Sequence, residues 1–278
     1  MNKTVRYTLY ALISSICIIA IIVGVYSQFF KRVSENKIGD TNLPSGNNTN
    51  DVQAEIKDAF KDLFTNKFWG ADYPDTNIKK IDSTKSLVYD AITGNYDKEG
   101  KYKLTLDIPL INIDNEIVSN YNKKTQEIFV NKVNDIMQKA TVYTICDMTF
   151  TSYINNDILS VAIMASLKEG DSAQRIIVQS YNYDLKNNKE ITIKDILSTR
   201  ALDSNAVNKK ISTIVKKAAK DAESLSQSGY EIYQRDLNSD MYDISNVTNF
   251  IQGPNGELYI IYAYGNESFT SEMDVIEI

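Results

Sequence analysis

From Tyr7 to Phe30 the chain runs for 24 residues without a charged side chain, and no other feature limits its folding so tightly. As a helix the run is about 36 Å long, enough to cross a hydrocarbon core of about 30 Å. It lacks the polar face that a surface helix needs. A cleaved signal peptide has a shorter apolar region and a small-residue cleavage site. Here the only candidate site, Val25-Tyr26-Ser27, is poor. A lipoprotein signal would use Cys17, but Ile16 stands where a small residue belongs. The run therefore reads as an uncleaved signal-anchor. Lys3 and Arg6 precede it and Lys31-Arg32 follow, so the positive-inside balance is nearly even. A six-residue tail is too short to fold, and the bulk of the chain is expected outside the cytoplasm.

The expected organisation is a cytoplasmic stub (1–6), a transmembrane helix (7–30), a flexible tether (31–50), an N-terminal helix with a connecting region (51–99), and an exported α+β module (100–278). The tether is polar, with Pro44, Gly46 and an Asn-rich end, a composition that does not pack. Beyond it the chain is long and apolar enough to bury a core.

The formal net charge is −6, and setting aside the four cations of residues 1–32 leaves −10 for the remainder. So acidic a chain is a poor nucleic-acid binder. It would repel anionic lipids and wall polyanions and attract a cationic partner. There are two cysteines. With Cys17 in the membrane run, Cys146 has no partner, so the exported part holds together by packing alone. Abundant Lys, Asn, Ile and Tyr fit a bacterial source.

Apolar residues recur at helical spacing from Asp51 to Trp69, from Ile117 to Ala140 and from Val207 to Leu225. The outer face of the last carries Lys209, Lys210, Lys216, Lys217 and Lys220, read as a solvated face. Tyr102, Leu104, Leu106 and Ile108 alternate with polar residues as a strand ended by Pro109. Thr141–Tyr153, Ile158–Leu167 and Ala173–Leu185 read as an antiparallel meander, because short turns separate them. A hairpin (Val247–Gln252 and Leu258–Tyr264) turns at Gly253–Gly256, and Met273–Ile278 adds a strand. Helices stand apart from strands, so the class is α+β, with antiparallel sheets packed against helices.

One segment is more specific. Ser180-Tyr181-Asn182-Tyr183-Asp184-Leu185-Lys186-Asn187-Asn188-Lys189-Glu190-Ile191-Thr192-Ile193-Lys194-Asp195-Ile196-Leu197 resembles a signature of the exported module shared by RsiV-type anti-sigma factors and PdaC-type peptidoglycan deacetylases. Tyr102–Asn112 with the following helix, and Asn249-Phe250 through Tyr262, look like further parts of that module. The resemblance covers roughly residues 100–278. It implies an exported α+β fold and, from the RsiV-type relatives, a module that binds lysozyme. The short N-terminal tail cannot supply a sigma-binding domain, and no deacetylase domain follows. The resemblance therefore implies the isolated module.

The chemistry is bounded by a negative: the chain contains no histidine. That excludes Ser-His-Asp and Cys-His nucleophiles and His-ligated zinc, and a single exported Cys excludes thiolate zinc and CxxC redox chemistry. No catalytic, cofactor-binding or metal-binding residue is assigned, no cofactor is expected, and the ligand-binding residues are unknown. Asp236–Asp240 mimics the start of a calcium loop, but Met241 replaces the required Gly and Val247 the closing Glu, so it reads as a loop. Ser34–Lys37 spells S-x-x-K by chance in the tether. Tyr102, Tyr143, Tyr181 and Tyr259 read as core residues of strands. The leading expectation is a single-pass, membrane-anchored envelope protein whose exported module binds a cationic protein or a wall-derived ligand. The alternatives are a carboxylate-based wall hydrolase and a structural subunit without a small ligand.

Overall fold

The computed structural model describes residues 49–65, 78–229, 231–264 and 272–278. The 7–30 run and most of the 31–50 tether lie outside the described residues. Among those described, no helix is long and apolar enough to cross a membrane. Helix α1 (Thr49–Asp62) runs into a 3-10 turn, Leu63–Thr65, and 66–69 lie outside the described residues.

Strands β1 (Val88–Lys98) and β2 (Tyr102–Ile111) form a hairpin. Helices α2 (Glu116–Thr125) and α3 (Asn131–Lys139) follow, joined by a π turn, Gln126–Val130. The apolar stripe Tyr121, Thr125, Phe129, Val133 is spaced by four and would drift around a regular helix. One wider turn absorbs that drift and leaves all four buried. Next come β3 (Thr144–Asn155), β4 (Ile158–Glu169), β5 (Arg175–Asp184), the short β6 (Lys189–Glu190), α4 (Ile193–Thr199) and α5 (Ser204–Gln227). The chain closes with β7 (Phe250–Gln252), β8 (Leu258–Tyr264) and β9 (Glu272–Glu277).

The two sheets have orders β1-β2-β3-β4-β5-β6 and β7-β8-β9. The expected meander is present as β3–β5, and Asn156 and Asp157, both at positive φ, make its first tight turn. The α+β class holds, but the expectation of purely antiparallel sheets needs correction: β2 and β3 are parallel. Helices α2 and α3 form the crossover that a parallel pair requires. Two further corrections concern the first hairpin. The connecting region assigned to 51–99 contributes strand β1, and Pro109 lies inside β2 rather than ending it. Pro109 stands opposite Asp90 where the β1 register shifts, and β2 pairs with β3 only as far as Leu106. A missing N–H is tolerated at such a bulge or free edge.

Strict alternation along the strands builds four layers. One face of the six-stranded sheet (Leu104, Leu106, Met148, Phe150, Ile163) packs on Val118, Phe129 and Val133 of the crossover segment. The other face (Ala162, Val178) packs on Ile251, Tyr259, Ile261 and Val275 of the small sheet, and Phe60 of α1 joins this cluster. The far face of the small sheet (Phe250, Leu258, Ile260, Ile276) buries against α4 and α5 through Ile196, Val207, Ile211 and Val215.

A polar seam crosses the middle of this sandwich. Ser160 Oγ donates to Asn182 Oδ1 at 2.6 Å, and Asn182 Nδ2 donates to the Phe250 carbonyl at 2.9 Å. Phe250 N donates to Ser180 Oγ at 3.0 Å and Gln252 N to Ser160 Oγ at 3.2 Å. Ser180 N in turn donates to Asn249 Oδ1 at 2.9 Å. The main chain of β7, on the side away from β8, is thus satisfied by side chains of the neighbouring sheet. Replacing Asn182 by Ala strands the Phe250 carbonyl in a dry interior, and each such buried orphan costs about 1–3 kcal/mol. We expect Asn182→Ala to lower the stability of the protein by about 2–3 kcal/mol in urea unfolding followed by circular dichroism.

Candidate binding site

The 180–197 segment positions most of the site. Alternation along β5 sends Tyr181 and Tyr183 toward α2 and Ser180 and Asn182 toward the small sheet. Asp184 closes the strand by accepting hydrogen bonds from Lys186 N at 3.0 Å, Asn187 N at 2.8 Å and Asn187 Nδ2 at 2.8 Å. Burial opposes its ionisation, but those bonds outweigh burial and hold the carboxyl below its usual range. Asn188, at φ 53°, completes the reversal. Thr192 and Asp195 then form a capping box that starts α4. Glu190 is left exposed between this cap and α2.

Two adjoining depressions of about 360 and 370 Å³ open at that place, and both are lined by Tyr121, Lys124 and Glu190. The Tyr121 ring stacks on Tyr181 at 4.7 Å, and its hydroxyl donates to the Asn182 carbonyl at 3.2 Å. Burial, and after it the nearby Glu190 carboxylate, pushes the Tyr121 phenol above its ordinary range. Thr125 Oγ1 donates to the Tyr181 hydroxyl at 3.1 Å, and burial pushes the Tyr181 phenol up to about 12. The groove floor is therefore a rigid pair of un-ionised tyrosines. Its walls carry both signs of charge, Lys123 and Glu127 on the helix side and Lys194 on the α4 side.

A second concavity, about 270 Å³, lies between β5 and β8 and shares Val247 and Thr248 with the first. Ile176, Val178, Ile261 and Ala263 line one part of it, Asn246, Thr248 and Asn249 another, and Met241 also contributes. Met241 (37% exposed) and Leu237 (45%) are open to solvent beside exposed Asp236, Asp240 and Asp243. These three carboxylates form no ion pair among the described residues. From residue 221 to 257 the sequence has seven acidic side chains and a single cation, Arg235.

That cation is withdrawn from the surface. Arg235 Nε and Nη2 donate to the two carboxylate oxygens of Asp274 at 2.8 and 2.9 Å, and both side chains are 1% exposed. The Tyr264 ring lies 5.0 Å from the guanidinium carbon and stacks on Tyr233 at 5.4 Å. The bidentate pair pins the 231–240 segment to β9. It is closed on all sides and reads as structural.

The residues singled out from sequence fall as follows. Tyr181 and Tyr259 are buried and Tyr102 is half-buried, whereas Tyr143, expected in a strand core, precedes β3 and is 42% exposed. Asp236–Asp240 is a loop: Asp236 accepts from Asn238 N, and Ser239 caps the turn Asp240–Tyr242. Among the described residues no group of three or more His, Cys, Asp or Glu is placed to hold a metal. The α5 lysines are exposed, save Lys217, which is half-buried. Cys146 is fully buried, and burial pushes its thiol up to about 12, which leaves it inert. Sequence reasoning named no ligand residue. Tyr121, Lys124 and Glu190 escaped it because they meet only when α2 docks on β5.

No protein-family model matches the chain, and no curated protein matches it. Among solved structures it is similar to a member of the DUF3298 family from Bacteroides fragilis NCTC 9343, at 13% identity and a TM-score of 0.36, over 68% of this chain and 89% of that one. It is also similar to a DUF3298 family protein from Pseudomonas aeruginosa PAO1, at 11% identity and a TM-score of 0.40, over 69% of this chain and 91% of that one.

Two outcomes follow from the buried chemistry. Asp274→Asn leaves the Arg235 charge buried without its partner and should cost about 3–5 kcal/mol in urea unfolding. The apolar double variant Arg235→Met/Asp274→Leu should recover most of that loss. Burial also pushes the phenols of Tyr153, Tyr181 and Tyr259 to about 12. Because the folded state holds these protons more tightly than the unfolded chain, stability is complete below about pH 10 and falls as pH climbs toward 12. Unfolding midpoints measured from pH 8 to 12 check this.

Proposed function

We propose that the protein is a membrane-anchored envelope protein whose α+β module lies outside the cytoplasm and binds a cationic protein. The uncharged Tyr7–Phe30 run supports the anchor, and the resemblance of residues 180–197 to the RsiV-type and PdaC-type module supports the exported placement. The observation that carries the binding reading is the acidic surface at 236–243. Its carboxylates have no ion pair among the described residues, its one local cation is buried, and Leu237 and Met241 add exposed apolar area beside a cleft. Acidic side chains around an apolar centre are the pattern of a surface that steers and then holds a basic partner.

Lysozyme is the probe, because the resemblance implies it and it is cationic. Full-length protein in neutral detergent should capture lysozyme at low ionic strength and release it as salt rises, since exposed charges are screened within about 10 Å at 0.1 M. Asp240→Asn combined with Met241→Ser should weaken capture by about tenfold, equivalent to about 1.4 kcal/mol. No capture at low salt removes the reading.

The wall-hydrolase alternative has one concrete candidate, since Glu127 and Glu190 line the same depression. Release of soluble fragments from purified wall, abolished by Glu190→Gln, would favour that reading over binding alone.

A further inference from the structure

We infer that the groove between α2 and the β6–α4 turn is a second binding site, one that takes a short peptide with a free amine and a free carboxylate. This inference is independent of the cationic-partner reading, which concerns the acidic surface at 236–243.

The argument begins with charges left over after local pairing. Lys123 lies 3.9 Å from Glu127, one helical turn on, so these two largely offset each other. Lys194 lies within electrostatic reach of Asp243, whose pKa is lowered chiefly by hydrogen bonds from Ser245 and least by this lysine. Lys189 is 3.9 Å from Asp195. Lys124 and Glu190 remain, the two charged groups that line both depressions, and neither has an ion pair among the described residues. They have opposite signs and come from opposite walls.

A purely anionic ligand would meet Glu190 unpaired, and a purely cationic one would meet Lys124. A zwitterion satisfies both. The depressions, about 360 and 370 Å³, fall within the range of roughly 300–1,000 Å³ that suits small ligands. The stacked tyrosines form a floor that does not move on binding. The Tyr121 hydroxyl is shared between the Asn182 carbonyl and the Glu190 carboxylate, and burial keeps its phenol protonated. Glu190 accepts a hydrogen bond from Tyr121 and keeps further lone pairs for an ammonium group, while Lys124 reaches the carboxylate. Binding forms salt-bridged hydrogen bonds and involves no covalent step.

The test is calorimetric titration of the full-length protein in neutral detergent with Ala-Ala-Ala, its N-acetyl form and its C-terminal amide. Sub-millimolar affinity for the free peptide is expected, on the order of what a ligand of this size reaches. Acetylation and amidation should each weaken it by about tenfold or more. Glu190→Gln should reproduce the effect of acetylation and add nothing to it, whereas Lys124→Gln should reproduce amidation and add nothing to that. Both residues are exposed, so neither change threatens the fold, and an unchanged urea midpoint verifies this. Failure of the free peptide to bind at about 10 mM, or equal affinity for all three peptides, overturns the inference. Lysozyme capture should be unaffected by either variant, so the fates of the two readings are separable.

Discussion

The structure hangs on the hydrogen bonds that Ser160, Ser180 and Asn182 make to the main chain of β7. Two sheets stacked face to face are usually held by apolar contact alone, and β7 has only three residues to pair with β8. Its other side would be a row of buried, unsatisfied amides if the facing sheet offered only Val or Ile. Three small polar side chains on alternate positions of β4 and β5 solve this, and each finds a partner. The net gain per bond is modest, about 0.5–1.5 kcal/mol, but the cost of leaving any one unmade is larger. The seam therefore fixes the register between the sheets more than it adds stability. Once β7 is placed, β8 and β9 follow, and their far face sets where α4 and α5 lie.

This seam also explains what the 180–197 segment of the chain is for. Ser180 and Asn182 belong to the 180–197 segment, and Asn249-Phe250 to the C-terminal hairpin. In the structure these residues bind one another across 68 to 70 positions of sequence. The remainder of the stretch, from Asp184 to Asp195, is a sequence of caps: an aspartate holding a turn, an asparagine at positive φ and a capping box. The distinctive residues of this segment build the scaffold.

What could be read from sequence follows the same division. The helices at 49–62, 116–139 and 204–227 and the β3–β5 meander were legible because each has a strong period and local turn chemistry. Strand β1 was not, because it is an edge strand whose burial pattern does not alternate cleanly. The parallel pairing of β2 with β3 was not, because a helix between two strands is compatible with either direction. Pro109 misled because its cost depends on which edge of β2 is paired, a tertiary fact. The Arg235–Asp274 pair joins two residues 39 apart with no motif between them, and Tyr121, Lys124 and Glu190 meet only in the fold. Counting acids in the sequence could not separate the buried Asp274 from the exposed Asp236, Asp240 and Asp243.

The two concavities are linked by a shared wall. Val247 and Thr248 line both, and the segment carrying them is fastened at each end. Ile244 N donates to Asn208 Oδ1 on α5 at 2.7 Å, and Asn249 accepts from Ser180 N on β5. Between those anchors lie four residues, too short a span to move one wall without the other. The same anchors tie the acidic surface to the polar seam, since Asp243 caps the turn Ile244–Asn246 that leads into this wall. The geometry of both surfaces is thus set by the interaction that joins the sheets. A side chain change in the seam will be felt at the surface as a displaced wall before it is felt as unfolding, because interior packing transmits small shifts rather than absorbing them.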